Sequence, residues 1–272
     1  MTRPDWAPTD VDLDQPSAAR MYDFVLGGSH NFEVDRALAR KILQVQPHLP
    51  DEAKANRAFL RRVVRLCVKL GIRQFIDIGS GIPTVGNVHD VAQQLNPEAR
   101  VLYADIDPVA VAHSQTILAD DPRTRAIQAD FCQPDTILDS AAAHDLIDFD
   151  QPVALLLVTV LHFVPDEKDP VGIIRRIAER LAVGSYVAAS HVSADIDNPA
   201  TRAMVALLNQ MATPVTLRSK AEITALFQGF TLLEPGVAPT SQWRPDADDP
   251  TQPAEAVRVY AAVGRKEETD TE

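Results

Sequence analysis

Cysteine is nearly absent: 272 residues carry only Cys67 and Cys132. The first falls inside a helical pattern and the second after a strand-like run, so no disulfide framework is expected, and a reducing cytoplasm fits. Positive charge is also in short supply. Lysine and arginine number 26 against 38 acidic residues, which gives a net charge of −12. A surface of that sign is not built to neutralise phosphates, so nucleic acid is not the expected partner. No apolar run approaches the ~18 residues of a membrane span, and the opening MTRPDWAPTDVDLDQP has no apolar core of a leader. Neither export nor membrane insertion is expected. The histidines are scattered, without H-x-x-x-H or C-x-x-C spacing, and no metal centre is expected. None of these features encodes the oligomeric state.

What the chain does have is core: 46% of its residues are hydrophobic, enough for one large domain. The polar, charged ends, 1–16 and 265–272, read as disordered tails. Residues 17–70 read as three helices that form an N-terminal cap or lid: PSAARMYDFVL, then NFEVDRALARKILQV after a Gly27-Gly28 break, then DEAKANRAFLRRVVRLCVKL. Ser17 and Asn31 are placed to cap the first two. In the third, Asp51 is placed to cap the start, Gly71 to end it, and Phe59, Leu60, Val63, Val64, Leu66 and Leu70 to pack on a sheet.

From 71 to 264 short apolar runs alternate with helical patterns. RQFIDIG, ARVLYADI, TRAIQAD, PVALLLVTVL and GSYVAASHV are the strand-like runs. The unbroken hydrophobicity of VALLLVTV marks a strand buried on both faces. Repeated strand–helix units predict an α/β fold with a doubly wound parallel sheet. FTLLEPG and AVRVYAAVG, separated by a proline-rich loop, predict a closing β-hairpin at the sheet edge.

The first strand runs into FIDIGSGIPTVG. In such a sheet the ligand lies beyond the carboxyl ends of the strands, and this loop lines its place. A dinucleotide fingerprint needs G-x-G-x-x-G/A, whereas Gly79-Ser80-Gly81-Ile82-Pro83-Thr84 ends on threonine. Pro83 and Gly86 also delay the next helix to Asn87, with Asp90 three residues on as its capping partner. A helix end set back in this way is poorly placed to clamp a pyrophosphate, but a nucleoside without phosphates does not need the clamp.

Asp77-Ile78-Gly79-Ser80-Gly81 resembles the first motif of class I S-adenosylmethionine-dependent methyltransferases, although Pro83 departs from the third glycine of many members. ARVLYADIDP resembles their second strand, QADF their third motif, and LLVTVLHFVPDE their fourth strand and its loop. The acids keep the family's order. From Asp77 to Asp105 is 105 − 77 = 28 residues, one strand–helix–strand unit, and Asp130 follows after another. Upstream, SAARMYDFVLGGSHNFEVDR together with SGIPTVGNVHDVAQ resembles an actinobacterial S-adenosyl methyltransferase family.

The resemblance implies a Rossmann-like sheet of seven strands, the last antiparallel, with S-adenosyl-L-methionine as cofactor. By the same match Asp105 chelates the ribose hydroxyls, with Asp107 as its fallback, and Ile106 lies against the adenine. Asp130 accepts from the adenine amino group, the Phe131 N–H meets the ring, and Thr159, Leu161 and His162 face the sulfonium. Asp77, Gly79, Ser80 and Gly81 line the cofactor, and Tyr22 or Asn31 adds a contact from the lid. His162 is the candidate general base, for an acceptor that must lose a proton as it attacks. The acceptor is expected to be a small molecule held between the N-terminal helices and 193–245. Two other readings stay open: a nicotinamide-dependent oxidoreductase, and a binding module that keeps the cofactor without turning it over.

Overall fold

The computed structural model describes residues 8, 12–83, 86–211, 213–249 and 258–268. Thr84, most of the expected N-terminal tail and 269–272 lie outside the described residues. Three helices open the chain: α1 (Ala18–Val25), α2 (Glu33–Val45) and α3 (Leu49–Lys69). Strands and helices then alternate through β1 (Gln74–Ile78), α4 (Val88–Leu95), β2 (Arg100–Asp105), α5 (Pro108–Ile117) and β3 (Thr124–Gln128). After β3 come two short helices, α6 (Pro134–Leu138) and α7 (Ala141–Leu146), and then β4 (Ala154–Val158), α8 (Pro170–Arg180) and β5 (Tyr186–Val192). The last zone holds α9 (Pro199–Leu208), α10 (Lys220–Ala225), β6 (Thr231–Leu232), β7 (Ala238–Pro239) and β8 (Val259–Arg265).

The sheet runs β3-β2-β1-β4-β5-β8-β6, parallel from β3 to β5, with β8 antiparallel to β5. Strand order reverses between β1 and β4, which opens a crevice at their carboxyl ends. Both strands are buried at every residue because helices cover both faces. The two-residue period sorts the core. Ile76, Ile78, Leu102, Leu155 and Leu157 join one apolar cluster, while Phe75, Val101, Leu156 and Val158 join the other. Phe59, Leu60, Val63, Val64 and Cys67 of α3 belong to the second cluster, so this helix is a layer on the sheet, as its stripe predicts. Trp243 closes that cluster, its ring edge-on to Phe59 at 5.4 Å. Each such buried side chain contributes about 1.5–3 kcal/mol relative to exposure.

Several local details differ from the sequence reading. The sheet has eight strands, not seven, because Ala238–Pro239 adds a two-residue edge strand to β8. Proline is tolerated there because an edge residue needs no ladder N–H. α3 begins at Leu49, before Asp51, and Pro50 occupies its first turn, where a missing N–H costs nothing. Asp51 therefore lies inside the helix, where its charge favours the N-terminal end without capping it. α2 is capped one residue later than Asn31, at Phe32, whose N–H donates to Asp35 Oδ2 at 2.8 Å. Ser17 is the residue before α1, but its side chain makes no cap bond. β8 runs through Arg265, and Lys266 donates from Nζ to the carbonyls of Ala178 and Leu181, so this end is tied down further than the charged composition suggested. The expected α4 start holds: Asn87 N–H donates to Asp90 Oδ2 at 2.9 Å. The edge hairpin forms too, between β6 and β8.

Candidate active site

Four loops meet where the strand order reverses. β1 ends in Gly79 and Gly81, both in the left-handed region at φ 71° and 68°. Their needs differ. A Cβ on Gly79 would fall 2.7 Å from Val160 Cβ in the loop after β4, so only glycine lets the two loops approach. A Cβ on Gly81 would meet nothing within 4 Å, so this residue faces open space. Ser80 stands between them and, with Gly81, Pro83 and Asp77, lines a narrow cleft that Arg57 and His89 also border.

Asp105 lies at the end of β2, 6% exposed. Its Oδ2 accepts from Gly81 N–H at 2.7 Å and its Oδ1 from Asp107 N–H at 2.8 Å. Burial raises its pKa to about 6. Asp77, at 5% exposure, is raised to about 7, chiefly by burial, with the Asp105 charge adding to the shift and Arg57 opposing it. Two desolvated carboxylates thus lie beside one open glycine loop. Next to Asp105, Ile106 is 63% exposed, an apolar side chain left uncovered at the crevice. At the end of β3, Asp130 is half-buried and accepts from Cys132 N–H at 2.8 Å, while Phe131 is buried in the core.

β4 leads into Thr159, a non-glycine residue at φ 58°. Such a backbone costs about 1–3 kcal/mol and persists only where its surroundings fix it. Here the Thr159 N–H donates to Ser190 Oγ at 3.0 Å and to the Ser190 carbonyl at 3.2 Å. The chain then makes a 3₁₀ turn, Leu161–Phe163. Leu161 is fully buried and His162 is 6% exposed, its Nδ1 without a hydrogen-bond partner. Burial, then His191 and Arg218, hold the His162 pKa well below the usual histidine range. The buried Arg218 pins this turn, donating to the carbonyls of Leu161 at 2.9 Å and Val164 at 2.8 Å. It also bonds His191 Nε2 at 2.8 Å and pairs with Asp166.

The structure separates Asp107 from Asp105. Asp107 caps α5, accepting from Val109 N–H at 2.8 Å, and its other oxygen takes Ser17 Oγ and Arg20 Nη1. Arg20 also donates to Asp35 Oδ2 at 2.8 Å, which fastens α1 to both α2 and α5. Both oxygens of Asp107 are therefore committed. Asn31 is similarly spent: its amide donates to Asp23 and the Gly28 carbonyl, and its oxygen accepts from Arg36. Tyr22 turns its hydroxyl towards α3, donating to the Ala53 carbonyl at 3.1 Å and accepting from Asn56 at 3.2 Å. Sequence reasoning did not reach Asn56, Ser190 or Arg218. Their partners lie as far as 134 residues along the chain, and no local spacing signals such pairs. Among the described residues no cluster of histidine, cysteine or acid could hold a metal, and no helix is long and apolar enough to cross a membrane.

A model of the S-adenosyl methyltransferase family matches residues 4–267. The chain belongs to that family. It is an S-adenosylmethionine-dependent methyltransferase, which displaces the nicotinamide reading. A DUF574 family protein from Streptomyces avermitilis is 38% identical, covering 94% of this chain and 100% of its own, with a TM-score of 0.90. A protein from Thermobifida fusca, provisionally described as a methyltransferase, is also 38% identical over 97% of this chain and 100% of its own, TM-score 0.90. The N-methyltransferase NodS of Bradyrhizobium japonicum, solved with S-adenosyl-L-homocysteine, shares the fold at 16% identity, covering 86% of this chain and 98% of its own, TM-score 0.51. No curated protein matches the sequence.

Proposed function

We propose that the enzyme methylates a small-molecule acceptor held between its N-terminal helices and residues 193–245. The observation that carries the cofactor end is the buried Asp105 bonded to the open Gly81 loop. A carboxylate there accepts two ribose hydroxyls at once and is favoured in its charged form by those donors. Ile106 offers the exposed apolar surface that an adenine covers, and Asp130 with the Phe131 backbone meets its polar edge. Ser80 and the open Gly81 leave room for the chain of the cofactor, Gly79 lets the loop close against Val160, and Asp77 lines the same cleft. When bound, S-adenosylmethionine supplies a methyl group already activated on a cationic sulfur. The protein's part is then to align the acceptor, exclude water and take up a proton.

Thr159 bounds that end of the crevice, whereas Leu161, which the resemblance sets against the sulfonium, is fully buried in the core. His162 is kept neutral by burial and its Nδ1 has no partner, so in the tautomer with its proton on Nε2 the Nδ1 lone pair takes a proton from a hydroxyl or ammonium acceptor. Beside it Phe163 joins an apolar cluster with Met21, Met204, Met211 and Val215, contributed by α1, α9 and the segment after α9. Methionine-rich surroundings adapt to the shape of an apolar guest, and the net charge of −12 opposes a nucleic-acid substrate. The test is transfer of labelled methyl into a fractionated metabolite extract, repeated with His162→Ala at matched folded fraction. Label in small molecules supports the reading, whereas label mainly in RNA or protein overturns it.

A further inference from the structure

We propose that Asn56 is a positioning residue that holds the strained tip of β4 and makes its geometry depend on the docking of α1. This rests on the reading of the β4 tip as the methyl-transfer end of the site. The observation is one directed chain of hydrogen bonds. Thr159 N–H donates to Ser190 Oγ at 3.0 Å, Ser190 O–H to Asn56 Oδ1 at 2.7 Å, Asn56 N–H to Tyr22 Oη at 3.2 Å, and Tyr22 O–H to the Ala53 carbonyl at 3.1 Å. Every hydroxyl both donates and accepts, so the chain has a single polarity from the β4 tip to α3.

Asn56 is 1% exposed and stands on α3 among Phe59, Leu60 and Val63, where an unpaired amide would be costly. Ser190 is likewise 1% exposed, on β5. Neither residue lies in a sequence motif of the site. Their common end is Thr159, whose left-handed backbone needs outside support. Because each hydroxyl polarises the next, removing the Tyr22 hydroxyl weakens the bond made at Thr159 without touching it. Docking of α1 carries Tyr22 into place, so the wall of the crevice is complete only when the N-terminal helix is seated.

The test uses the full chain with selective ¹⁵N-threonine labelling, the Thr159 amide being assigned by its loss in Thr159→Ser. Tyr22→Phe should shift the Thr159 resonance and speed its solvent exchange about tenfold, although three hydrogen bonds separate the two residues. S-adenosyl-L-homocysteine should bind about three- to tenfold more weakly to the same variant. Asn56→Leu should give larger effects, and adding Tyr22→Phe to it should change Thr159 no further, because the chain is already cut. If Asn56→Leu fails to fold, Ser190→Ala replaces it in the cycle. An unmoved Thr159 resonance in Tyr22→Phe would overturn the proposal, as would an undiminished Tyr22→Phe effect in the Asn56→Leu background. A wild type that ignores S-adenosyl-L-homocysteine would overturn the functional reading instead, while the Thr159 amide still judges the chain.

Discussion

Replacing Asp105 with asparagine tests the ribose contact at the level of one oxygen atom. In the free protein the carboxylate accepts from Gly81 and Asp107 N–H groups at 2.7 and 2.8 Å, and burial holds its pKa at about 6. Ribose hydroxyls are further donors, so they favour the charged form and lower that pKa in the complex. The sign follows from proton counting. As pH falls through about 6, the free protein takes up a proton that the complex resists, so binding weakens about tenfold per unit until the lower, bound-state pKa is reached. Above about pH 6, the pKa of the free protein, the affinity is complete.

Asparagine keeps one acceptor and turns an N–H towards one of the two backbone donors. Losing a buried charge-assisted bond costs about 1.5–3 kcal/mol, so Asp105→Asn should bind S-adenosyl-L-homocysteine about ten- to a hundredfold more weakly at neutral pH. Its acid-side slope should flatten as well. Asp77, raised to about 7 in part by the Asp105 charge, shifts down in the asparagine variant, so Asp77→Asn made alone and together with Asp105→Asn separates the two contributions. Titration calorimetry across about pH 5 to 8 measures affinity and proton uptake together. Equal affinity and equal slope in both proteins would refute the assignment.

The two glycines of the loop should respond differently. Gly79→Ala meets both a positive φ and Val160 Cβ at 2.7 Å, so it should cost about 2–4 kcal/mol by urea titration. Val160→Gly should relieve more of that loss than Val160→Ala, because Val160 Cβ and Cγ2 both lie at 2.7 Å and alanine removes only the second. Gly81→Ala faces open space and should cost only about 1 kcal/mol in stability while weakening S-adenosyl-L-homocysteine binding, as measured by calorimetry. Arg218→Met strands the Leu161 and Val164 carbonyls and His191 in a buried site, and should lower stability by about 3–5 kcal/mol on denaturant titration. For His162, burial keeps the imidazole neutral below the usual histidine range, so the acid limb of the turnover profile should fall below pH ~6.5. His162→Ala should lower turnover about 10²–10⁴-fold at matched folded fraction; a change confined to folding yield would remove it as the base.

Much of the fold is legible in the order of residues because burial on both faces writes itself as unbroken apolar runs. VALLLVTV is β4, and the alternation of strand and helix patterns from 72 to 192 is the parallel sheet. The glycine loop and the acids at the ends of the first three strands are equally local, since each depends on a few adjacent residues at the end of a strand. Other elements left a weaker trace. α6 and α7, at 5 and 6 residues, are shorter than two helical turns and show no repeating stripe, and β7 is a strand only because β8 passes beside it.

The sequence by itself determined the architecture, the family's cofactor and the glycine loop and acids that we assign to its crevice. Tertiary structure alone decided how near-identical neighbours divide their work. Asp105 and Asp107 are two residues apart and chemically the same, yet one is buried against Gly81 and the other caps α5 and holds Arg20, 87 residues away in sequence. It likewise decided that Thr159 is left-handed, that Arg218 pins the turn carrying His162, and that Asn56 joins Tyr22 to Ser190. The physical reason is that propensity and periodicity act over a few residues, whereas a carboxylate or amide takes its role from whichever donors the closed fold brings within about 3 Å.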